Sequence, residues 1–380
     1  VKPFGIGIVG AGNISTQYLE NLTKFADVEV RFVADVLLDR AAEQARKFGI
    51  AASGTMEELL AREDIQIVVN LTIPAVHAEV GELIIAAEKH VWSEKPIATD
   101  RHSAVKLLES AKNKGLRVAT APDTVLGAGI QSALRSIARG DIGEPLTATT
   151  TFQVPGPDVW HPNPEFLFAE GAGPLFDMGP YYMTTLVHAL GSATRVQAVS
   201  STSRTARMIG SGPRAGESFP VEVPTHHAAL IEFEGGRSAQ TTLSFQHASA
   251  RKGFVEINGT EGTISLPDPN NFDGDSTLWR FDANELRTLP ATGSTWGAWH
   301  RSSGPGALNC EGHPGTSIRR LGRSCTRHYA RHPRRGRFRK GRDHRLPRRA
   351  DHPHSRRLGP CGRHTRITRP SQCPQHPPRA

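Results

Sequence analysis

The sequence predicts an α/β protein built on a doubly wound parallel sheet. Over roughly the first 120 residues, short β-branched runs alternate with helical segments, and a helix between successive strands implies parallel pairing. The first strand also runs straight into a glycine turn that opens a helix. From Leu146 onward the pattern shifts to strands rich in Thr, Val and Ile, so a second, strand-rich region follows the first.

Each element has a local reason. Phe4–Val9 is apolar and β-rich, and Ile14–Leu22 carries apolar residues at helical spacing. Val28–Ala34 is a second strand. Arg40–Phe48 is helical and stops at Gly49, a residue that takes the left-handed cap without steric cost. Thr55-Met56-Glu57-Glu58 has capping-box spacing and opens another helix. Ile65–Leu71 is nearly continuous apolar sequence, as a strand buried on both faces requires. Val76–Glu88 is helical and His90–Ser93 is a short strand. Asp100 caps a helix from Arg101 to Lys114, and Leu116–Ala121 is the next strand. Later, Leu146–Val154, Arg195–Thr202, His226–Phe233, Ser238–His247 and Phe254–Leu266 alternate as strands do, with turn signals at Gly235-Gly236 and Asn258-Gly259.

Charge divides the chain of 380 residues unevenly. Residues 1–297 hold 25 Lys+Arg against 34 Asp+Glu, whereas residues 298–380 hold 21 against 3. The net charge of +9 therefore comes from the last stretch, which excludes reading the body as a nucleic-acid binder from its charge. All four cysteines (Cys310, Cys325, Cys361, Cys373) lie in that stretch too, so residues 1–297 have neither a disulfide framework nor a thiol nucleophile. No run approaches the roughly 18 apolar residues of a membrane span. The N-terminal residues enter a strand without a signal-peptide pattern. A soluble, cytoplasmic protein with no membrane partner is the expectation.

The first turn carries the chemistry. Gly10-Ala11-Gly12-Asn13-Ile14-Ser15 fits G-x-G-x-x-G with Ser in the last place. Gly10 allows the tight turn, and Gly12 lets the backbone approach a pyrophosphate at the helix N-terminus. Ser15 is small enough for close helix–strand packing. Asp35, at the end of the second strand, is placed to accept hydrogen bonds from a ribose diol, or is a solvated strand-end carboxylate. Val36 follows it, and the nearest downstream cation is Arg40. An aspartate repels a 2′-phosphate, so NAD is expected, with NADP as the alternative.

Three further strings narrow the reading: Thr72-Ile73-Pro74-Ala75-Val76-His77, Lys89-His90-Val91-Trp92-Ser93-Glu94-Lys95-Pro96, and Gly171-Ala172-Gly173-Pro174-Leu175-Phe176-Asp177-Met178-Gly179-Pro180-Tyr181. With the Gly10 turn they resemble the glucose–fructose oxidoreductase, inositol dehydrogenase and rhizopine-catabolism (Gfo/Idh/MocA) family, from about residue 3 to 297. The resemblance implies a dinucleotide-binding Rossmann domain over 1–122 and a substrate and oligomerisation α/β domain over 123–297, with the boundary near Pro122-Asp123. The second domain would hold a large open, mostly antiparallel sheet that supports homo-oligomers. It would cover the nicotinamide with a sugar or cyclitol pocket.

Oxidising a secondary alcohol needs a hydride acceptor above the carbon and a base on the hydroxyl. The resemblance puts Lys95 opposite the substrate hydroxyl, where its cation stabilises alkoxide charge and lowers a neighbour's pKa. A surface lysine before a proline is the plain reading, and Pro96 is a candidate cis proline. The family's D-x-G-x-H-x-x-D string reads here from Asp177 to Thr184, with Tyr181 in the place of the usual His and Thr184 in that of the last Asp. Tyr181 is expected as acid/base, its pKa lowered by Lys95, with Asp177 orienting the site. The alternative is an aromatic packed at the domain interface, and Tyr182 is the nearest competitor. His188 is expected in the core with Leu186 and Leu190.

Cofactor contacts are expected at Gly10, Gly12, Asn13, Ile14 and Asp35, and by resemblance at Thr72, Pro74, His77, Glu94 and Lys95. His77 serves either the nicotinamide or the N-terminus of its helix. Trp160-His161-Pro162-Asn163-Pro164 is a loop in which Trp160 and His161 line a sugar pocket or anchor the loop. Asp123 is a substrate-contact candidate where the chain enters the second domain. No His/Asp/Glu cluster has metal-ligand spacing, so no metal is expected.

Residues 298–380 contain 20 Arg, 10 Pro and 9 His but no Val, too little apolar surface to offset chain entropy. A basic nucleic-acid arm, a Cys/His module and out-of-frame sequence compete there. AWHRSSGPGA (298–307) has a back-translation that reads RGTGVLDLA one base later, and GRDHRLPR (341–348) reads AGTIDFP at the same offset. The first product resembles the glycine-then-amphipathic-helix segment the family has there and the second its closing segment, which favours a shifted frame and a disordered tail with no nucleic-acid role. The leading expectation is an NAD(P)-dependent dehydrogenase or reductase acting on a sugar, sugar derivative or cyclitol. The alternative is a catalytically silent dinucleotide-binding regulator on the same fold.

Overall fold

The computed structural model describes residues 2–251 and 253–291, all within one compact unit, Val1–Ala330. The expectations for residues 298–380 lie outside the described residues. The first half alternates as the sequence predicts: β1 (Phe4–Val9), α1 (Asn13–Leu22), β2 (Val28–Ala34), α2 (Leu38–Lys47), β3 (Ser53–Gly54), α3 (Met56–Leu60), β4 (Ile67–Asn70), α4 (His77–Ala86), β5 (His90–Ser93), α5 (Arg101–Asn113) and β6 (Val118–Thr120). The six strands are all parallel, in the order β3-β2-β1-β4-β5-β6. The chain therefore reverses direction across the sheet between β1 and β4, and ligands of such sheets bind at that switch point.

Local signals place these elements. Thr55 and Glu58 form a reciprocal capping box at the start of α3, and Asp100 accepts from the Ser103 N–H at 2.9 Å to start α5. Such caps are worth about 1 kcal/mol each. Gly49 ends α2 at φ +68°. Tyr18, Leu19 and Leu22 of α1 and Ala41 and Ala45 of α2 bury against Ile6, Ile8, Ile67 and Val69. Leu59, Val80, Ile84 and Leu107 from α3, α4 and α5 cover Phe32, Val68 and Val91 on the opposite face. Helices on both faces explain why β4 reads as unbroken apolar sequence.

The chain continues through α6 (Ala128–Ala138), β7 (Pro145–Gln153), α7 (Gly173–Asp177) and α8 (Gly179–Leu190). Then follow β8 (Ala193–Ser201), β9 (Ala206–Met208), β10 (Ser218–Pro220), β11 (His226–Phe233) and β12 (Ser238–Ser244). The last strands are β13 (Phe254–Gly259), β14 (Gly262–Leu266), β15 (Ser276–Arg280) and β16 (Glu285–Leu289). Eight strands form one sheet, β16-β15-β14-β13-β7-β12-β11-β8, antiparallel except where β12 runs parallel to β7. One face packs Ile130, Ala133 and Ile137 of α6 and Tyr182, Leu186 and Leu190 of α8 onto Ile257, Ile264, Leu243 and Leu278. The other face leaves Val199 and Leu230 exposed.

Some elements differ from expectation. The sequence reading treats Phe254–Leu266 as one alternating run broken at Asn258-Gly259, and it is the hairpin β13–β14. The small hairpin β9–β10 lies outside the large sheet and carried no sequence signal. His188 is exposed rather than in the core. At 3.6 residues per turn it points about 200° away from Leu186, so it faces solvent when Leu186 and Leu190 face the sheet.

Candidate active site

The glycine turn joins β1 to α1. Gly10 sits at φ +98°, and a Cβ there would lie 2.6 Å from the Leu71 carbonyl oxygen, so only glycine fits. A Cβ on Gly12 would meet nothing within 4 Å. Gly12 is the N-cap of α1 and supplies no side-chain cap, so the first turn of the helix faces open space at the switch point. Asn13 is exposed at that end, whereas Ile14 packs inward against the core. Ser15 is buried, and its N–H and hydroxyl both donate to the Gly12 carbonyl, at 3.0 and 2.6 Å. The serine thus braces the turn from below and leaves its upper side clear. A cradle that a side chain would fill, aimed along a helix axis, fits a dinucleotide pyrophosphate.

Asp35 follows β2. One carboxylate oxygen accepts from the Ala11 N–H at 2.7 Å and the other from the Leu37 N–H at 2.8 Å. An ionised carboxylate has about four acceptor sites, so two main-chain bonds leave room for a ribose diol. Val36 is 96% exposed, and Leu37 and Leu38 are about half exposed.

The two loops beyond β4 and β5 are tied together. Thr72 donates to Asn70 Oδ1 through both N–H and hydroxyl, and Asn70 Nδ2 donates to the His77 carbonyl at 3.0 Å. Pro74 opens the single 3-10 turn before α4. The buried His77 ring lies 2.6 Å from the Pro96 carbonyl through Nδ1 and 2.8 Å from the Thr72 carbonyl through Nε2. Both partners are main-chain oxygens, and the tautomer decides which ring nitrogen donates. The His77 side chain is thus engaged with main chain on both sides.

Glu94 is the next connector. It accepts from the Tyr18 hydroxyl at 2.9 Å with one oxygen and from the Lys95 N–H at 3.0 Å with the other. Tyr18 is fully buried and accepts from Trp92 Nε1 at 3.1 Å. Burial pushes its pKa well up, and the charges of Glu94 and Asp123 add to this. Tyr18 is thus a neutral donor fixed between helix α1 and the Glu94-Lys95-Pro96 segment, whose Lys95–Pro96 bond is cis.

Lys95 Nζ donates to Asp177 Oδ1 at 2.6 Å and to the Asp177 carbonyl at 2.9 Å, and it stands 5.4 Å from the centre of the Tyr181 ring. The ends of α7 and α8 thereby bring two residues 82 and 86 positions downstream onto one lysine. Burial opposes the ammonium charge, but the neighbouring acidic groups, Asp177 first among them, outweigh it and hold Lys95 above the ordinary lysine range. Burial also pushes the Tyr181 phenol up. Lys95 pulls it down less than burial lifts it, and Glu94, Asp177 and Asp123 lift it further. The net shift is therefore upward, against the expected lowering by Lys95, and the phenol stands protonated beside a cation. Tyr182, by contrast, is fully buried in the second core and donates to Asp268 at 3.1 Å. Asp123 is buried just past β6, within electrostatic reach of both Tyr18 and Tyr181.

Trp160 and His161 lie on the loop after β7, edge to face at 5.5 Å, and His161 meets Phe166 at 5.4 Å. Their link to the lysine site is indirect. Phe168 of the same loop packs with Met178, Ile209, Phe219 and Phe245, and Tyr181 lies against that cluster. Among the described residues no group of three or more His, Cys, Asp or Glu is arranged to hold a metal ion. Among them also, no helix is long and apolar enough to cross a membrane. Tyr18 and Trp92, which brace the Glu94 segment, are residues that sequence reasoning passed over. For Tyr18, a tyrosine on the buried face of α1 was a signal that a buried hydroxyl needs a partner.

Comparison with known proteins gives the same outline. The family model for oxidoreductases with an NAD-binding Rossmann fold (GFO_IDH_MocA) matches residues 4–121, and that for the GFO/IDH/MocA C-terminal domain matches residues 130–265. The chain is 27% identical over 302 residues to a dTDP-3,4-didehydro-2,6-dideoxy-alpha-D-glucose 3-reductase of Streptomyces violaceoruber, covering 77% of this chain and 82% of the relative. An NAD binding oxidoreductase from Klebsiella pneumoniae has a similar structure, with a TM-score of 0.66 at 25% identity over 75% of this chain and 78% of that one. Levoglucosan dehydrogenase in complex with NADH and L-sorbose has the same fold, with a TM-score of 0.66 at 22% identity over 76% and 80%.

Proposed function

The chain belongs to the GFO/IDH/MocA oxidoreductase family, with an NAD-binding Rossmann domain, and from that premise we propose that it reduces a keto group of a sugar or sugar derivative, or oxidises the matching alcohol in reverse. The observation that carries this reading is the Lys95 ammonium 5.4 Å from the centre of the Tyr181 ring, with Asp177 at 2.6 Å from that ammonium. When bound, the nicotinamide coenzyme supplies the hydride in one direction and accepts it in the other. Gly10, Gly12, Asn13 and Ile14 would hold its pyrophosphate and Asp35 its ribose diol. Thr72, Pro74, His77 and Glu94 shape the walls around its reactive end.

Lys95 donates a hydrogen bond to the carbonyl oxygen and stabilises the alkoxide that develops there. Tyr181 gives its proton to that oxygen, and the phenolate left behind is paired with Lys95 until solvent returns the proton. Asp177 keeps the ammonium charged and aimed. Asp123, Trp160 and His161 complete the sugar pocket. A neutral phenol suits reduction, which consumes a proton, and a keto-sugar reductase is among the relatives described above. Three exposed aliphatic residues after Asp35, with no cation among them, support NAD over NADP.

We take residues 1–122 as the coenzyme domain and 123–297 as the substrate domain. The exposed Val199 and Leu230 on the face of the large sheet away from α6 and α8 support a homo-oligomer. The test is calorimetry with NADH and NADPH, followed by absorbance at the reduced-nicotinamide band with levoglucosan, myo-inositol and a 3-keto sugar. NADH binding with turnover of one of these sugars is expected. No uptake of either coenzyme would overturn the reading, and uptake without turnover would favour the silent regulator.

A further inference from the structure

The hairpin β9–β10 holds a buried ion pair that the chemistry above does not use. Arg207 of β9 donates from Nη1 to Asp158 Oδ1 at 2.8 Å and to the Pro155 carbonyl at 2.7 Å, and from Nη2 to the Phe245 carbonyl. The two side chains are only 4% and 10% exposed. The guanidinium lies 5.1 Å from the centre of the Phe168 ring. One side chain of β9 therefore grips the loop after β7 at its start, at Asp158 and at its end.

The backbone is shaped around this grip. Gly156 sits at φ +125°, and a Cβ there would stand 2.4 Å from Asp158 Oδ1 and 2.6 Å from Arg207 Nη1. The Gly210 N–H donates to the Asp158 carbonyl at 2.7 Å. A Cβ on Gly210 would press on the carbonyls of Asp158 and Val159 at 3.0 and 2.9 Å. Farther along, the Ser211 hydroxyl donates to the Trp160 carbonyl at 2.6 Å, and Arg214 pairs with Glu165 at 2.6 Å.

Taking two charges out of water is costly, and apolar residues of similar size often stabilise a fold as well or better. What the pair offers instead is fixed geometry, because a planar guanidinium serves several acceptors in set directions. We propose that Arg207 is a positioning residue for the sugar substrate. It fixes Trp160 and His161 through Asp158, and it fixes the wall behind Tyr181 through Phe168. The inference rests on the reading that Trp160 and His161 touch the sugar.

Arg207→Met, Arg207→Lys and Asp158→Asn test it in the full chain. Hydrogen exchange needs no ligand: the Trp160 and His161 amides, which donate to the Pro157 carbonyl, should exchange about tenfold faster in Arg207→Met, with β1 amides unchanged. The kinetic probe is the sugar of the panel above with the highest kcat/KM. Its KM should rise about tenfold in Arg207→Met and Asp158→Asn, with kcat within about threefold and the NADH Kd within about twofold. Arg207→Lys should fall between Arg207→Met and the parent. If Arg207→Met does not fold, the isosteric Asp158→Asn carries the test alone. An unchanged KM, or a KM and NADH Kd that rise together, overturns the proposal. Trp160→Ala separates the two layers. If it raises KM while Arg207→Met does not, only the clamp fails. If Trp160→Ala leaves KM unmoved, the loop reading fails and the clamp falls with it.

Discussion

Replacing Lys95 by methionine removes the ammonium that pairs with Asp177 while keeping most of its apolar stem. Its ammonium stands 2.6 Å from Asp177, with the side chains 16% and 21% exposed. At that separation and an effective dielectric of about 20, Coulomb's law gives roughly 6 kcal/mol before the cost of burial is subtracted. Deleting one partner of such a pair typically costs about 3–5 kcal/mol, since the other charge stays buried. The sign with pH follows from the raised folded-state pKa of Lys95. Its contribution is fully present below the ordinary lysine pKa and is lost only as pH rises through the folded value, so the stability deficit of Lys95→Met should be constant from pH 6 to about 9.

The rate should fall for a separate reason. Loss of one preorganised donor to a developing oxyanion costs about 10²- to 10³-fold in kcat. Lys95 also pulls the Tyr181 pKa down, so its loss makes the phenol a weaker acid as well. Lys95→Met/Asp177→Leu distinguishes the two effects. Urea melts should show stability largely restored, because a buried pair exchanged for apolar residues is often neutral. Turnover should stay at the level of the single variant. A Lys95→Met enzyme within tenfold of the parent rate, or a double variant that regains rate along with stability, would refute a chemical role for Lys95.

Three shorter predictions stand beside it. Tyr181→Phe should lower the reduction rate by about 10²- to 10⁴-fold with little change in the NADH Kd from calorimetry; because burial raises the phenol's pKa, the parent's reduction rate should be flat from pH 6 to about 9, and a decline through neutral pH would contradict that. Val36→Arg sets a cation at a fully solvated position beside Asp35 and should tighten NADPH binding by about tenfold or more, read by fluorescence titration. Gly10→Ala forces a Cβ to 2.6 Å from the Leu71 carbonyl at φ +98° and should cost at least about 2 kcal/mol in urea melts.

The parallel sheet was legible because its signals are local. Strands buried on both faces are apolar from end to end, and Thr55, Asp100 and Gly49 announce helix ends within a few residues. The hairpin β9–β10 gave no such signal, because strands of three residues are too short for alternation to register. Arg207 reads as an exposed arginine until Asp158, 49 residues earlier, is folded against it. The direction of the Tyr181 shift was likewise out of reach. Sequence position named Lys95 as its neighbour, but the sign depends on how deeply α8 and the Phe168 cluster bury the phenol, which is a tertiary property. His188 was misjudged by a purely local slip, since two residues along a helix do not share a face.

The two halves of the chemistry are joined by one carboxylate. Glu94 takes the Tyr18 hydroxyl from α1, the helix whose N-terminus forms the dinucleotide cradle, and it takes the main-chain N–H of Lys95. The Lys95 ammonium then reaches Asp177 at the end of α7, and Tyr181 opens the helix that follows. His77 ties the neighbouring strand loops, Thr72 to Pro96, on the other side of the same segment. The lysine is therefore aimed by groups rooted in the parallel sheet and charged by a group rooted in the second domain. Neither domain alone holds it in both respects. That division of labour accounts for why burial, which by itself disfavours the ammonium, coexists here with a lysine held firmly cationic.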